Sequence, residues 1–90
     1  MGFVWDTKKA AANHRKHGVS FEKASSALRD TFSATGHDPD HSEDEDRFVT
    51  FGVSSRGRLL AVAHTERGSS IRIISARLAT NAERQIYEEG

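Results

Sequence analysis

Between Ala63 and Arg77 the sequence reads AHTERGSSIRIISAR, and five of these positions carry groups able to handle a phosphate ester: His64, Glu66, Arg67, Arg72 and Arg77. A guanidinium presents a fork of donors that matches phosphate oxygens two at a time. An imidazole or carboxylate can take a proton from a ribose 2′-hydroxyl, and a second acid can protonate the leaving oxygen. Arginines can stabilise the charge that builds on phosphorus. No metal is required when RNA supplies its own nucleophile. Cross-strand ion pairs on a solvated hairpin are an equally ordinary use of the same residue types.

A second set lies near the start of the chain. Lys9, Asn13, Lys16 and His17 recur at i, i+4, i+7 and i+8, one face of a helix. Such a face can grip a phosphate backbone, or it can simply meet water. His14 and His17 are three apart, but the chain has no cysteine and no carboxylate beside them, so no metal site is expected.

These groups need elements to hold them. Phe3-Val4-Trp5 reads as a short strand, and Asp6 can cap the helix TKKAAANHRKH, which Gly18 ends. Ser20 opens a second helix with Glu22 in its first turn, and Phe21, Ala24, Ala27 and Leu28 form its buried stripe. Thr31 to Thr35 reads as a short strand. Arg47 to Ser54 alternates as a strand, Ser55-Arg56-Gly57 is a turn, and Arg58 to Glu66 and Ser70 to Leu78 complete a hairpin around Gly68. Thr80-Asn81-Ala82-Glu83 is a capping box that opens a short last helix. Trp5 is read as a core anchor; Tyr87, on that last helix, can face the core or a site. The expected fold is α+β: a small antiparallel sheet, two N-terminal helices and a C-terminal helix, the helices on one face.

Alternation along Arg58–Glu66 puts Leu60, Val62, His64 and Glu66 on one side and Leu59, Ala61, Ala63, Thr65 and Arg67 on the other. Both sides are apolar in the middle and polar towards Glu66, as for a strand that ends at an edge or cleft. Arg72 and Arg77 have opposite parity, so a regular strand would separate them. They converge only through a bulge, or if Arg77 lies beyond the strand.

Ninety residues make a single domain, 1–90, with one modest core. The longest apolar run, Leu59 to Ala63, is far short of a membrane span, and no secretory signal follows Met1. The net charge of zero conceals an asymmetry. The 13 basic residues are scattered, whereas six of the 13 acidic ones lie at 38–46; the rest of the chain keeps 13 basic and 7 acidic side chains, or +6. A basic domain with one acidic loop attracts a polyanion or an acidic partner.

Taken in order, Trp5-Asp6, Lys9, Asn13, Lys16-His17-Gly18-Val19-Ser20-Phe21-Glu22, Asp38-Pro39-Asp40-His41, Arg47-Phe48, His64-Thr65-Glu66-Arg67-Gly68, Ile71 to Arg77, Ala79-Thr80 and Glu83-Arg84 resemble the signature of the BrnT toxin family. The resemblance covers nearly the whole chain. It implies a RelE-like fold and a cytoplasmic endoribonuclease that inhibits translation as the toxin of a bacterial type II toxin–antitoxin module. It also implies a BrnA-type antitoxin partner in a complex of two toxins and two antitoxins, operator DNA bound only through the antitoxin, an RNA substrate and no cofactor. His64, Glu66, Arg67, Arg72 and Arg77 become candidate catalytic residues, and Lys9, Asn13, Lys16 and His17 candidate RNA contacts. The alternative is a binding module whose basic surface docks an antitoxin or nucleic acid without cutting it.

Overall fold

The computed structural model describes residues 2–41 and 45–90. Ser42, Glu43 and Asp44, part of the acidic loop, lie outside the described residues. Local chemistry sets most element boundaries. After strand β1 (Gly2–Val4), Asp6 accepts the Lys8 and Lys9 amides at 2.8 and 3.1 Å and starts helix α1 (Thr7–His17). Gly18, at φ 69°, ends it by donating to the His14 carbonyl, a left-handed conformation that glycine adopts without a Cβ penalty. Ser20 caps α2 (Phe21–Leu28) through the Lys23 amide, and Phe21, Ala24 and Ala27 are its buried stripe. Next come β2 (Ala34–His37), a 3-10 turn at Pro39–His41, β3 (Arg47–Val53), β4 (Leu59–Arg67), β5 (Ser70–Leu78) and α3 (Asn81–Glu89). The capping box at Thr80 and Glu83 forms as expected. Among the described residues no helix is long and apolar enough to cross a membrane.

The strands run in the order β1-β5-β4-β3-β2. The sheet is mixed rather than antiparallel throughout, because β1 pairs parallel to β5, with Val4 beside Arg72. A three-residue strand has no alternation to reveal its partner, and this pairing joins the start of the chain to the start of β5. Beyond Val4 the outer edge of β5 lies open, and α1 covers it. Asn13 does this chemically: its amide donates to the Ala76 carbonyl at 2.8 Å and to the Val19 carbonyl at 3.0 Å, and accepts from the Ala76 amide at 3.1 Å. The side chain thus replaces a neighbouring strand and fixes the turn after α1 at once.

Leu60, Val62, Ile73 and Ala76 point to the side where α1 and α2 lie, against Val19, Phe21, Ala24 and Ala27. Trp5 meets Phe21 edge-on at 6.0 Å, the anchoring role expected of it. Gly52 lets α2 approach β3, since a Cβ there would collide with the Ala27 carbonyl. The helices do not all share this side. On the opposite face Leu59 and Ala61 are buried, and Arg77, paired with Ala61, binds Glu83 of α3. Tyr87 donates to Asp30 at 2.5 Å, and Asp30 also accepts the Val53 amide at 2.9 Å, which ties α3 to the end of β3.

One irregularity decides which side chains meet. Ala63 pairs with Ser75 but His64 pairs with Ile73, so Ile74 is an extra residue in β5. The bulge shifts strand parity by one. Arg72, beside Thr65, and Arg77, beside Ala61, consequently emerge on the same face, the one away from α1 and α2.

Candidate functional site

The two sides of the β4–β5 hairpin have different chemistry. His64 points inward among the core residues and is only 3% exposed. Its Nε2 is 2.7 Å from the Thr50 hydroxyl, which is in turn 2.7 Å from the Thr35 hydroxyl, a polar chain across three strands. Phe48 stacks on the imidazole at 6.0 Å and meets His37 edge-on at 5.6 Å. Burial pushes the imidazole's pKa down, only partly offset by the Glu66 charge, so His64 is neutral at pH 7. The hairpin therefore does not bring it together with the arginines: His64 is enclosed and faces away from them. The reason is alternation. His64 shares parity with Leu60 and Val62, which belong to the core. Glu66 shares that parity too, but lies exposed at the strand's end.

On the opposite face the register aligns a row from four strands: Val4 of β1, Arg72 of β5, Thr65 of β4 and Arg47 of β3. Side chains directly opposite on neighbouring strands lie about 5 Å apart at Cβ. Thr65 is 2% exposed, and its hydroxyl has no hydrogen-bond partner among the described residues. The Arg47 Nε is also buried. Arg72 borders a cleft with Val4, Trp5 and Asp6, and its charge helps hold the Asp6 carboxyl below its usual range, after the larger effect of the Lys9 and Lys8 amides. Arg67 is one step further along β4, beside Ser70, with an ion pair to Glu45 at 3.0 Å.

Arg77 reaches this face but gives its fork away. Its two Nη atoms bind both Glu83 oxygens at 2.7 and 2.8 Å. Glu83 also accepts the Thr80 amide, and the Arg77 hydrogen bonds hold its pKa down at about 2. This arginine anchors α3. On α1, Lys9, Lys16 and His17 border a shallow cleft with Ile74 and Ser75 of β5. Ser75 has the parity of the arginine face. Asn13 lines the same cleft but is only 7% exposed, and its side-chain amide is committed to Ala76 and Val19. Arg47 and Thr65 are the members of the row that hairpin spacing does not single out. Arg47 lies 18 positions before Thr65 and joins it only through the β3–β4 register.

Together these features define a class: a small α+β domain with a core on one side of its sheet and a guanidinium-rich surface on the other, suited to an anionic polymer. A family model described as ribonuclease toxin, BrnT, of type II toxin–antitoxin system matches residues 5–83, and the chain belongs to that family. It is similar to the Brucella abortus ribonuclease toxin, BrnT, whose 1.1 Å crystal structure superposes with a TM-score of 0.65 at 26% identity, covering 90% of this chain and 99% of that one. No curated protein matches the chain. The protein is accordingly a ribonuclease toxin, and its partner is the antitoxin of a type II system.

Proposed function

We propose that this toxin cleaves RNA without a metal ion, on the sheet face that carries Arg47, Arg67 and Arg72. The observation behind the proposal is the row Arg72–Thr65–Arg47, made by the bulge and the strand register. In this mechanism the 2′-hydroxyl oxygen attacks the adjacent phosphorus, the bond to the next nucleotide's 5′-oxygen breaks, and the 2′ proton leaves as the 5′-oxygen gains one. The products are a 2′,3′-cyclic phosphate and a 5′-hydroxyl. The guanidiniums hold the non-bridging oxygens and stabilise the charge that grows on them. His64 supports the strand from behind rather than moving protons. Lys9, Lys16 and His17 extend the cationic surface along the RNA backbone. A BrnA-type antitoxin in a complex of two toxins and two antitoxins, binding operator DNA for the pair, fits the family, as does action in the cytoplasm.

The test uses toxin freed from its antitoxin, an RNA substrate and excess chelator. Cutting should persist, and Arg72→Ala should slow it about 10²–10³-fold, the usual loss when one transition-state donor is removed. The same variant should relieve growth arrest on induced expression. Cutting abolished by chelator and restored by a divalent ion would overturn the metal-free mechanism. An Arg72→Ala protein that cuts at the wild-type rate would place the RNA elsewhere.

A further inference from the structure

At the Arg72 end of the row lies a cleft of mixed chemistry. Val4, Trp5, Asp6 and Arg72 border about 220 Å³ where β1 gives way to α1. Val4 is 46% exposed. Trp5 is half-buried: it meets Phe21 edge-on at 6.0 Å and also lines the cleft. Asp6 is exposed, and it caps α1 through Oδ1 alone, which accepts both the Lys8 and the Lys9 amide. Oδ2 keeps its capacity to accept. The Lys9 and Lys8 amides, with the Arg72 charge behind them, hold this carboxyl below its usual range, so it is ionised at neutral pH. Arg72 forms no ion pair with Asp6, and its guanidinium makes no hydrogen bond among the described residues. The cleft thus joins an aromatic and an aliphatic surface to one free acceptor and one free fork of donors. An anion would meet Asp6, and a cation would meet Arg72. A neutral, flat ligand with donors on one edge and acceptors on another suits all four residues, and an unpaired nucleobase is such a ligand. Guanine fits best. Its N1–H and 2-amino group stand side by side as donors for a carboxylate oxygen, and its O6 and N7 accept from a guanidinium. Adenine and cytosine place a bare ring nitrogen beside their amino group, and uracil flanks its single donor with carbonyls, all of which a carboxylate repels.

We infer that this cleft is a guanine subsite: the base lies against Trp5 and Val4, gives its N1 and 2-amino hydrogens to Asp6, and is joined to a phosphate on the adjacent arginine surface. This rests on the reading of that surface as the one that holds RNA, and it adds a base preference to it. Arg72 borders both, with donors enough for O6 of the base and for the adjoining phosphate. Because stacking alone accepts any base, the choice of guanine falls to Asp6. The toxin should accordingly cut beside unpaired guanines.

Trp5 is the chain's single tryptophan, so its fluorescence reports on the cleft. Toxin freed from its antitoxin is titrated with 2′-O-methyl oligouridines, which cannot be cut, carrying guanine, hypoxanthine, adenine, cytosine or uracil at the central position. The guanine oligonucleotide is expected to change the emission and to bind about tenfold more tightly than the hypoxanthine one, which lacks only the 2-amino group. Asp6→Asn keeps an oxygen for the helix cap but puts a donor in place of Oδ2; it should melt close to wild type and lose that tenfold difference. Equal binding of guanine and hypoxanthine by wild type would overturn the subsite whatever the stability of the variant. A guanine preference that survives Asp6→Asn, or one that leaves the Trp5 emission unchanged, would overturn it too. In each of those cases Arg72→Ala that weakens binding of every oligonucleotide would leave the RNA surface standing. Arg72→Ala that binds all five as wild type does would overturn the surface itself.

Discussion

Arg77 should matter to folding before it matters to cutting. Its partner Glu83 has a pKa of about 2 against an ordinary 4.5. At about 1.36 kcal/mol per pH unit, that difference sets a ceiling of ~3.4 kcal/mol on the stabilisation. The Arg77 side chain is 43% exposed, and solvent screening lowers the net value to about 1–2 kcal/mol. For a domain of this size, about 4–8 °C of melting temperature accompanies each kcal/mol. Arg77→Ala should thus melt roughly 5–15 °C lower, and Glu83→Gln should lose a similar amount. The double variant should lose little more than either, because both remove one interaction. The sign with pH follows from the depressed carboxyl. Its contribution is full above pH 4.5 and fades as pH falls towards 2, so wild type and Arg77→Ala should converge at acid pH. Thermal melts at pH 7 and pH 3 measure this, with cleavage assayed well below both midpoints. Arg77→Ala that melts like wild type but cuts a hundredfold more slowly would refute the reasoning and give the guanidinium to RNA.

Two other side chains carry expectations of the same kind. His64 is neutral in the fold with a lowered pKa, so the unfolded chain binds more protons below about pH 6.5. Stability should fall as pH drops from 7 to 5, by up to ~1.4 kcal/mol per pH unit from this residue, and His64→Gln should flatten the slope in urea titrations; an unchanged slope would contradict the neutral buried state. Asn13→Ala would strand the Ala76 amide and carbonyl at the edge of β5. A loss of about 3 kcal/mol is expected, with Asn13→Asp only partly better because it cannot donate to the two carbonyls; denaturant melts within 1 kcal/mol of wild type would show that water replaces the clamp.

Elements governed by near neighbours were legible in the sequence. Asp6, Gly18, Ser20 and the Thr80–Glu83 box act within one helical turn, and each behaves as its residue type dictates. The hairpin was legible for the same reason, since β5 spans Ser70–Leu78 as its alternation indicates. What escaped depends on partners far along the chain. Parallel pairing of β1 with β5 joins residues about 68 positions apart. Asn13 looks like a surface amide on a polar helix face until the backbone 63 residues away claims it. Ile74 carries no mark of a bulge, because an isoleucine suits a regular strand equally well. The arginines' convergence was recognisable only as a condition, that β5 contain an irregularity, and the structure meets that condition.

The same bulge explains why the histidine and the arginines part company. On β4 the alternation is strict, so His64 goes inward with Val62 and Thr65 outward with Ala63. With a regular β5, one of Arg72 and Arg77 would have pointed at the core, where an unpaired guanidinium is prohibitively costly. The extra residue lets both remain outside and keeps Ile73 and Ala76 inside. Core packing and the cationic face are thus one solution to one parity problem. It follows that deleting Ile74 should damage both together, whereas changes on the outer face should leave the core intact. The separation also bears on the chemistry. The face opposite the imidazole carries Arg67 and Arg72, with the carboxylates of Glu45 and Asp6 beside them. On the proposed reading of this face, its guanidiniums contribute electrostatic stabilisation and alignment of the 2′-oxygen with phosphorus.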